Sequence, residues 1–390
     1  MTNQALRGAT AIAGVGQTPF YRRGDSPYSE RKLLLQALVA ASDEAGIDPG
    51  EIDGFAIYHY DKHNGTVLMN ELGTRELRWS SMVAGGGGGG IPAAIGMASA
   101  AIVSGQAEIV AVYRAVAERE FGRFNTSVEQ EHADPHYLAH GINVAAQMVG
   151  LRSQVMLEKY QIPREAVEAL VLADYFHARN NPRARAYKNE VDAAAYRASR
   201  LVVDPYRLHD CSRESDGAAA VIVMSAEAAR KRSRNPVYLL GIAQGAPYRG
   251  GDAVENFGEY GLSGFSSVAK RLWQQTGLGP ADVDVVQVYE NFSPAGVGAL
   301  MEHGFFNPDN VSDVMTLENL TSPHGKLPVN TSGGCLAEGF IHGMEIVIEG
   351  VRQIRGDSPN PVPGAQVSLV TGGPASTYVS SALFGAEQTL

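Results

Sequence analysis

The 390-residue sequence predicts an α/β protein built from two similar halves, and three observations carry that reading. The block AGIDPGEIDGFAIY, Ala45 to Tyr58, recurs as TGLGPADVDVVQVY, Thr276 to Tyr289, with its Gly, Pro, acid, Asp and terminal Tyr at matching positions. In each half a strand and a helix precede the block, and an apolar helix feeding a further strand follows it. The composition, 44% hydrophobic and 19% charged, is that of a globular chain with a sizeable core and excludes a disordered or fibrous one.

The first strand is ATAIAGV, Ala9 to Val15, an apolar run suited to a sheet covered on both faces. Leu33, Leu34, Ala37, Leu38 and Ala41 follow at the helical period. Turn residues then open the strand that ends in Tyr58. Ile91 to Ser104 reads as an apolar helix leading into the strand Glu108 to Val112. PVYLLGIAQGAP, Pro236 to Pro247, mirrors the first strand, Phe265 to Gln275 the first helix, and Ile346 to Ile354 with Gln366 to Val370 the later helix and strand. The halves are therefore placed at residues 1–235 and 236–390. Within the first, Arg114 to Asn235 is longer and more polar, with helical segments near Val144–Tyr160 and Arg164–Ala178. It is expected to be a loop excursion serving as a substrate lid.

Charge and cysteine content exclude several classes. A formal charge of −10 argues against nucleic acid and against anionic membrane surfaces as partners. Cys211 and Cys335 are too few and too far apart for a disulfide framework or a zinc cluster, and no HExxH-type spacing occurs, so no metal is expected. Neither a signal-like start nor a long uninterrupted apolar stretch is present, so a cytoplasmic protein without membrane insertion is expected. The 44 glycines among 390 residues, about 11%, exceed a typical share of ~7%. Six of them form the run Gly85 to Gly90, which lacks the Lys-Ser/Thr of a phosphate loop.

DCSRESDGAAAVIVMS (Asp210 to Ser225), NTSGG (Asn330 to Gly334) and the duplicated halves resemble the thiolase superfamily, in its sterol-carrier/lipid-transfer-protein branch. AEIVAVYRAVAER (Ala107 to Arg119), VYENFSPAGVGALMEHGFF (Val288 to Phe306) and LPVNTSGGCLAEGFIHGMEIVIEGVRQIRG (Leu327 to Gly356) are similar to the steroid side-chain-cleaving aldolases of that branch. The resemblance covers essentially the whole chain. It implies a thiolase-like five-layered αβαβα fold, a homodimer, an acyl-CoA cleft and a small OB-fold, zinc-ribbon partner protein. Thiolases use a nucleophilic Cys, a second acid/base Cys, a His and an Asn. In this sequence those positions fall at Gly88, near Val370, at Phe340 and at Tyr289, so all four groups are missing.

Without a nucleophile, Claisen chemistry is disfavoured, and the expected activity is acyl-CoA-dependent retro-aldol cleavage of a β-hydroxyacyl-CoA, such as a steroid side chain. The products would be a ketone or aldehyde and a shorter acyl-CoA. Coenzyme A enters as the substrate thioester, with no tightly bound cofactor. Such cleavage needs a proton acceptor for the hydroxyl, donors for the enolate oxygen and an acid for the carbanion. Tyr289 is the first candidate for proton transfer, although a Tyr ending a strand also serves packing alone. His342 is a candidate base or orienting group, or a structural His. Phe340 replaces a Tyr of the related aldolases and can neither transfer a proton nor donate a hydrogen bond. Gly88 and Gly89 let backbone amides approach the thioester at a helix start, and Ser332, Gly333 and Gly334 are candidate donors at the cleft mouth. Asn330 either holds its own loop or touches substrate. His140 is placed near the pantetheine arm or caps a helix, and Arg183 and Arg185 meet CoA phosphates or form a solvated turn. Cys335 as nucleophile is disfavoured, since free Cys is more often a small buried hydrophobe. The alternatives are an acyltransferase or thiolase with atypical residues, and a non-catalytic acyl-CoA or lipid-binding subunit of a complex.

Overall fold

The computed structural model describes residues 6–59, 61–84, 87–121, 135–248, 259–374 and 378–390. Its strands are Thr10–Gln17 (β1), Tyr21–Arg22 (β2), Gly54–Tyr58 (β3), Trp79–Val83 (β4), Ile109–Val116 (β5), Leu201–Val203 (β6), Tyr206–Arg207 (β7), Ser215–Ser225 (β8), Val237–Gly245 (β9), Val285–Gln287 (β10), Val367–Gly372 (β11) and Val379–Gly385 (β12). The main sheet runs β10-β11-β12-β9-β1-β8-β5-β3-β4. Outward from the β1–β9 seam, both sides repeat one pattern. β1 is antiparallel to β8, β8 to β5, and β5 is parallel to β3; β9 is antiparallel to β12, β12 to β11, and β11 is parallel to β10. The seam itself is thin, joining Ala11 to Tyr238 and Ile12 to Val237.

Helix Glu30–Ala45 covers the outer face of β1 and β8. Ser29 accepts from the Lys32 amide at its start, and Gly46 ends it in the left-handed region. Its buried stripe is Leu33, Leu34, Ala37, Leu38 and Ala41, the residues of the predicted period. The helix lies so close to β1 that a Cβ at Gly14 or Gly16 would collide with its backbone at Ala41 or Ala37. Helix Phe265–Thr276 takes the equivalent place on β9 and β12. Helices Gly90–Val103 and Met344–Arg355 touch strands of both halves. They are buried nearly all round, as a layer between two sheet faces must be. Outer helix, one half of the sheet, central helices, the other half of the sheet and outer helix make the five predicted layers.

Two expectations change. β8 belongs to the sheet and not to an excursion: it inserts between β1 and β5, and its run Ala218 to Met224 is too apolar to stay outside the core. The lid reading is thereby narrowed to what precedes β8, of which residues 122–134 lie outside the described residues. Helices Ala145–Lys159 and Arg164–Asn180 do form there. The second change concerns the repeated tyrosines. Tyr58 ends β3, but β10 stops at Gln287, two residues before Tyr289. There the Val288 amide donates to Asn330 Oδ1 at 2.8 Å and the Tyr289 amide to Thr371 Oγ1 at 3.1 Å, so side chains take over from the strand ladder.

Candidate active site

The two central helices begin side by side, and the site is built where they start. Turn Gly87–Gly89 leads into helix Gly90–Val103, and Ser380 fastens it by donating to the Gly89 carbonyl and accepting from the Ala93 amide. Gly85 and Gly86 of the glycine run lie outside the described residues. A Cβ on Gly88 would collide with the Cε2, Cζ and hydroxyl oxygen of Tyr289. On its other side that ring meets Gly343, at the start of helix Met344–Arg355, where a Cβ would stand 2.8 Å from Tyr289 Cδ2. Gly343 also has φ +92, so that position suits glycine twice over. Tyr289 therefore lies between two helix starts, where the field of the helix ends favours negative charge.

Tyr289 is 3% exposed, and burial raises its pKa well above the usual phenol value, with Cys335, Tyr58, Glu345 and Glu290 adding to the effect. At neutral pH it carries its proton and is a donor. Phe340 stands edge-on to it at 5.9 Å and to His342 at 5.1 Å, forming an aromatic row.

His342, with φ +62, is held by two strands of the first half. Tyr58 O–H bonds to its Nδ1, and Arg114 of β5 reaches the same atom through Nε at 3.2 Å and Nη2 at 3.1 Å. Arg114 in turn pairs with Asp61 at 3.2 Å, and all four groups are buried. A guanidinium only donates, so Nδ1 faces Arg114 as an acceptor. Burial, then Arg114 and His59, push the His342 pKa well below the ordinary imidazole value. These contacts engage the Nδ1 lone pair, the arrangement of the orienting alternative.

The NTSGG segment forms the wall behind Tyr289. The Gly333 amide bonds to the Asn330 carbonyl at 2.8 Å, and Asn181 Nδ2 donates to the Ser332 carbonyl at 2.9 Å. The Cys335 and Leu336 amides point at Glu290 Oε1, at 2.6 and 3.3 Å. Asn330, Ser332, Gly333 and Gly334 are all buried, and a Cβ on Gly334 would strike Glu290 Oε1. These residues thus brace the site instead of opening onto the cleft mouth. Burial raises the carboxyls of Glu290, to about 7, and of Asp174 on helix Arg164–Asn180, and each is part of the other's electrostatic surroundings. Cys335 is fully buried and its thiol is pushed well above the ordinary value by burial and by Glu290 and Glu345, so it is no nucleophile. The Cys211 thiol, raised by burial to about 12, is no better.

A cleft of about 540 Å³ lies outside this centre and is lined by Arg22, Arg23, Arg185, Arg200, Arg213 and Phe292 among others. Segment 211–214 separates the two, bridging to Phe292 through Cys211 and to Phe340 through Glu214. Arg185 is thus at the cleft, as its candidate role requires. Arg183 does not line it; the charges around it are Arg352, Glu338, Glu349 and Asp357. His140 is exposed in the turn after helix Pro135–Ala139 and does not line the cleft. Among the described residues no group of His, Cys, Asp and Glu is placed to hold a metal, and no helix is long and apolar enough to cross a membrane.

Sequence reasoning missed Tyr58 as a site residue, and with it Arg114, Asp61, Asp174 and Glu290. Two signals were available: Tyr58 is the repeat-mate of Tyr289, and Arg114 is the one charge in the apolar strand IVAVYRAV.

A five-layered fold with its centre at two helix starts is the thiolase architecture. Human mitochondrial 3-ketoacyl-CoA thiolase matches it at TM-score 0.69 over 98% of this chain and 100% of that one, with 15% identity. A family model described as thiolase C-terminal domain-like matches residues 252–384. The chain is 34% identical over 382 residues to the 17-hydroxy-3-oxo-4-pregnene-20-carboxyl-CoA lyase of Mycobacterium tuberculosis, covering 94% of this chain and 97% of the relative. It is 33% identical over 390 residues to a steroid side-chain-cleaving aldolase of Thermomonospora curvata, covering 97% and 99%. The solved structure titled Ltp2-ChsH2(DUF35) aldolase superimposes at TM-score 0.90 with 33% identity, over 99% of this chain and all of that one. The chain belongs to the thiolase superfamily, in the sterol-carrier-protein thiolase-like branch that contains the steroid side-chain-cleaving aldolases.

Proposed function

We propose that this chain is a retro-aldolase that cleaves a β-hydroxyacyl-CoA, of the steroid side-chain class, into a ketone or aldehyde and a shorter acyl-CoA. The observation that carries the reading is the protonated Tyr289 phenol filling the space of the missing nucleophile, between two helix starts. CoA phosphates bind at the arginine-lined cleft, whose wall at segment 211–214 bridges to Phe340 beside the centre. The Cα–Cβ bond then breaks, its electron pair moving onto Cα and the thioester oxygen as the β-hydroxyl becomes a carbonyl. Helix-start amides beside Gly88 and His342 Nε2–H support the thioester oxygen. In the same concerted step Tyr289 gives its proton to Cα while its oxygen takes up the one leaving the hydroxyl, so it ends as it began. A phenol with a raised pKa suits this exchange, because it never needs to stand as a free phenolate.

Within this reading the chain acts in the cytoplasm as a homodimer of two-half subunits, 1–235 and 236–390, with a small OB-fold, zinc-ribbon partner. The exposed edge strand β4, with Met82 46% exposed, supports pairing between copies. The name of the superimposed aldolase, a complex with a DUF35 chain, supports the partner. The decisive experiment is mass spectrometry of products from a panel of steroid and aryl β-hydroxyacyl-CoA thioesters, with and without a co-expressed partner. Cleavage that vanishes in Tyr289→Phe supports the proposal. Unchanged turnover in that variant, or labelled acyl groups retained on the denatured protein, overturns it.

A further inference from the structure

We propose that Arg114, backed by Asp61, is a positioning residue that locks His342 in the tautomer with its proton on Nε2. The proposal rests on the aldolase reading for its consequence, but on contacts alone for its substance.

An imidazole next to a reacting thioester can serve as donor, acceptor or cation, and only one of these suits an enolate oxygen. Two donors from different strands converge on His342 Nδ1, Tyr58 O–H from the end of β3 and the guanidinium of Arg114 from β5. Tyr58 alone would not choose the tautomer, since a phenol oxygen can also accept a proton from Nδ1. Arg114 can only donate, so it removes both that possibility and the doubly protonated ring. Asp61 holds the other branch of the guanidinium, through Nη1 at 3.2 Å. The same Asp61 oxygen accepts from the Ala115 amide at 3.3 Å and ties the pair to the β5 backbone. Arg114 also stacks over the Tyr58 ring at 5.3 Å, which steadies both donors. A buried cation in an apolar strand is costly unless it has such work, and no substrate contact is needed to account for it here.

Among the described residues, the groups facing or adjoining His342 include Tyr58 at the end of β3, His59 and Asp61 just after it, Arg114 from β5, and Glu345, which binds the adjoining Gly343 amide at 3.0 Å. Arg114 is the one whose removal frees Nδ1 for a proton.

The test reads the ring directly, by nitrogen NMR of full-length protein with labelled histidine, assigning His342 by its loss in His342→Gln. In the unaltered protein the expected pattern is Nε2–H with Nδ1 unprotonated, constant from about pH 5.5 to 8.5. Arg114→Met should yield mixed tautomers and a titration inside that range. Its kcat should fall about 10- to 100-fold with KM changed less than about twofold, and Arg114→Lys should recover part of the loss. Because Arg114→Met strands the Asp61 carboxylate, the paired variant Arg114→Met/Asp61→Asn keeps the cavity neutral and gives the same reading in a folded protein. A proton on Nδ1 in the unaltered protein, or an unchanged His342 pattern in both variants, overturns the proposal. If the tautomer result holds while Tyr289→Phe turns over normally, the aldolase reading fails and the lock stands.

Discussion

The ring of Tyr289 occupies the volume into which any side chain at Gly88 would project. The two residues therefore exclude each other's alternatives: a nucleophile at position 88 requires a smaller residue at 289, and the phenol requires glycine at 88. Gly88→Ala should displace the ring, costing about 1–3 kcal/mol of stability through overpacking. Turnover should fall at least tenfold, and thermal unfolding run beside the product assay checks both effects.

Arg200 makes no ion pair among the described residues although it lines the cleft. If its role is to meet CoA phosphates, Arg200→Ala should raise KM for a CoA thioester about tenfold and leave kcat nearly unchanged. A pantetheine thioester of the same acyl group, lacking the distant phosphates, should show no change. Equal effects on both substrates would assign Arg200 to the scaffold.

Cys335 lies between Glu290 and Glu345, with its Sγ 3.4 Å from Glu345 Oε1. A thiol so placed should resist alkylation at pH 7.5 in the native state and react on unfolding. Cys335→Ala should keep more than about half of the turnover while lowering stability by about 1 kcal/mol. Peptide mapping after iodoacetamide treatment, followed by the kinetic assay, tests both statements.

The buried carboxyls around the central helix give stability a definite pH slope. Burial raises Glu345 to about 8 and Glu338 to about 7, against an ordinary value of 4.5. Between those values the folded chain holds protons that the unfolded chain has lost, so stability falls as pH rises from about 5 to about 8. Below that window the penalty is absent. Glu345→Gln should flatten the slope measured by denaturant unfolding across the range. A slope that is unchanged would mean that Glu345 is ionised in the fold.

Much of this protein is written locally. Leu33 to Ala41 specify a helix by their spacing, Ala218 to Met224 specify a buried strand by their continuity, and the two blocks ending at Tyr58 and Tyr289 specify a duplicated unit. The absence of Cys at position 88 and the presence of Tyr at 289 could likewise be read once the motifs aligned the chain with its family. Those features depend on side-chain period and identity, which a linear sequence displays.

What depends on which groups arrive from elsewhere was decided only by the tertiary structure. The proton on His342 is set by Arg114, 228 residues away, and no spacing rule encodes that meeting. Asn330 and Ser332 turned out to brace a wall because their partners, Val288 and Asn181, come from separate elements. Glu290 and Asp174 hold their protons more tightly because packing removes water from both, and burial is a property of the assembled fold. Sequence by itself thus determined the architecture and the missing nucleophile; three-dimensional contact and the loss of solvent decided which atoms at the centre carry protons.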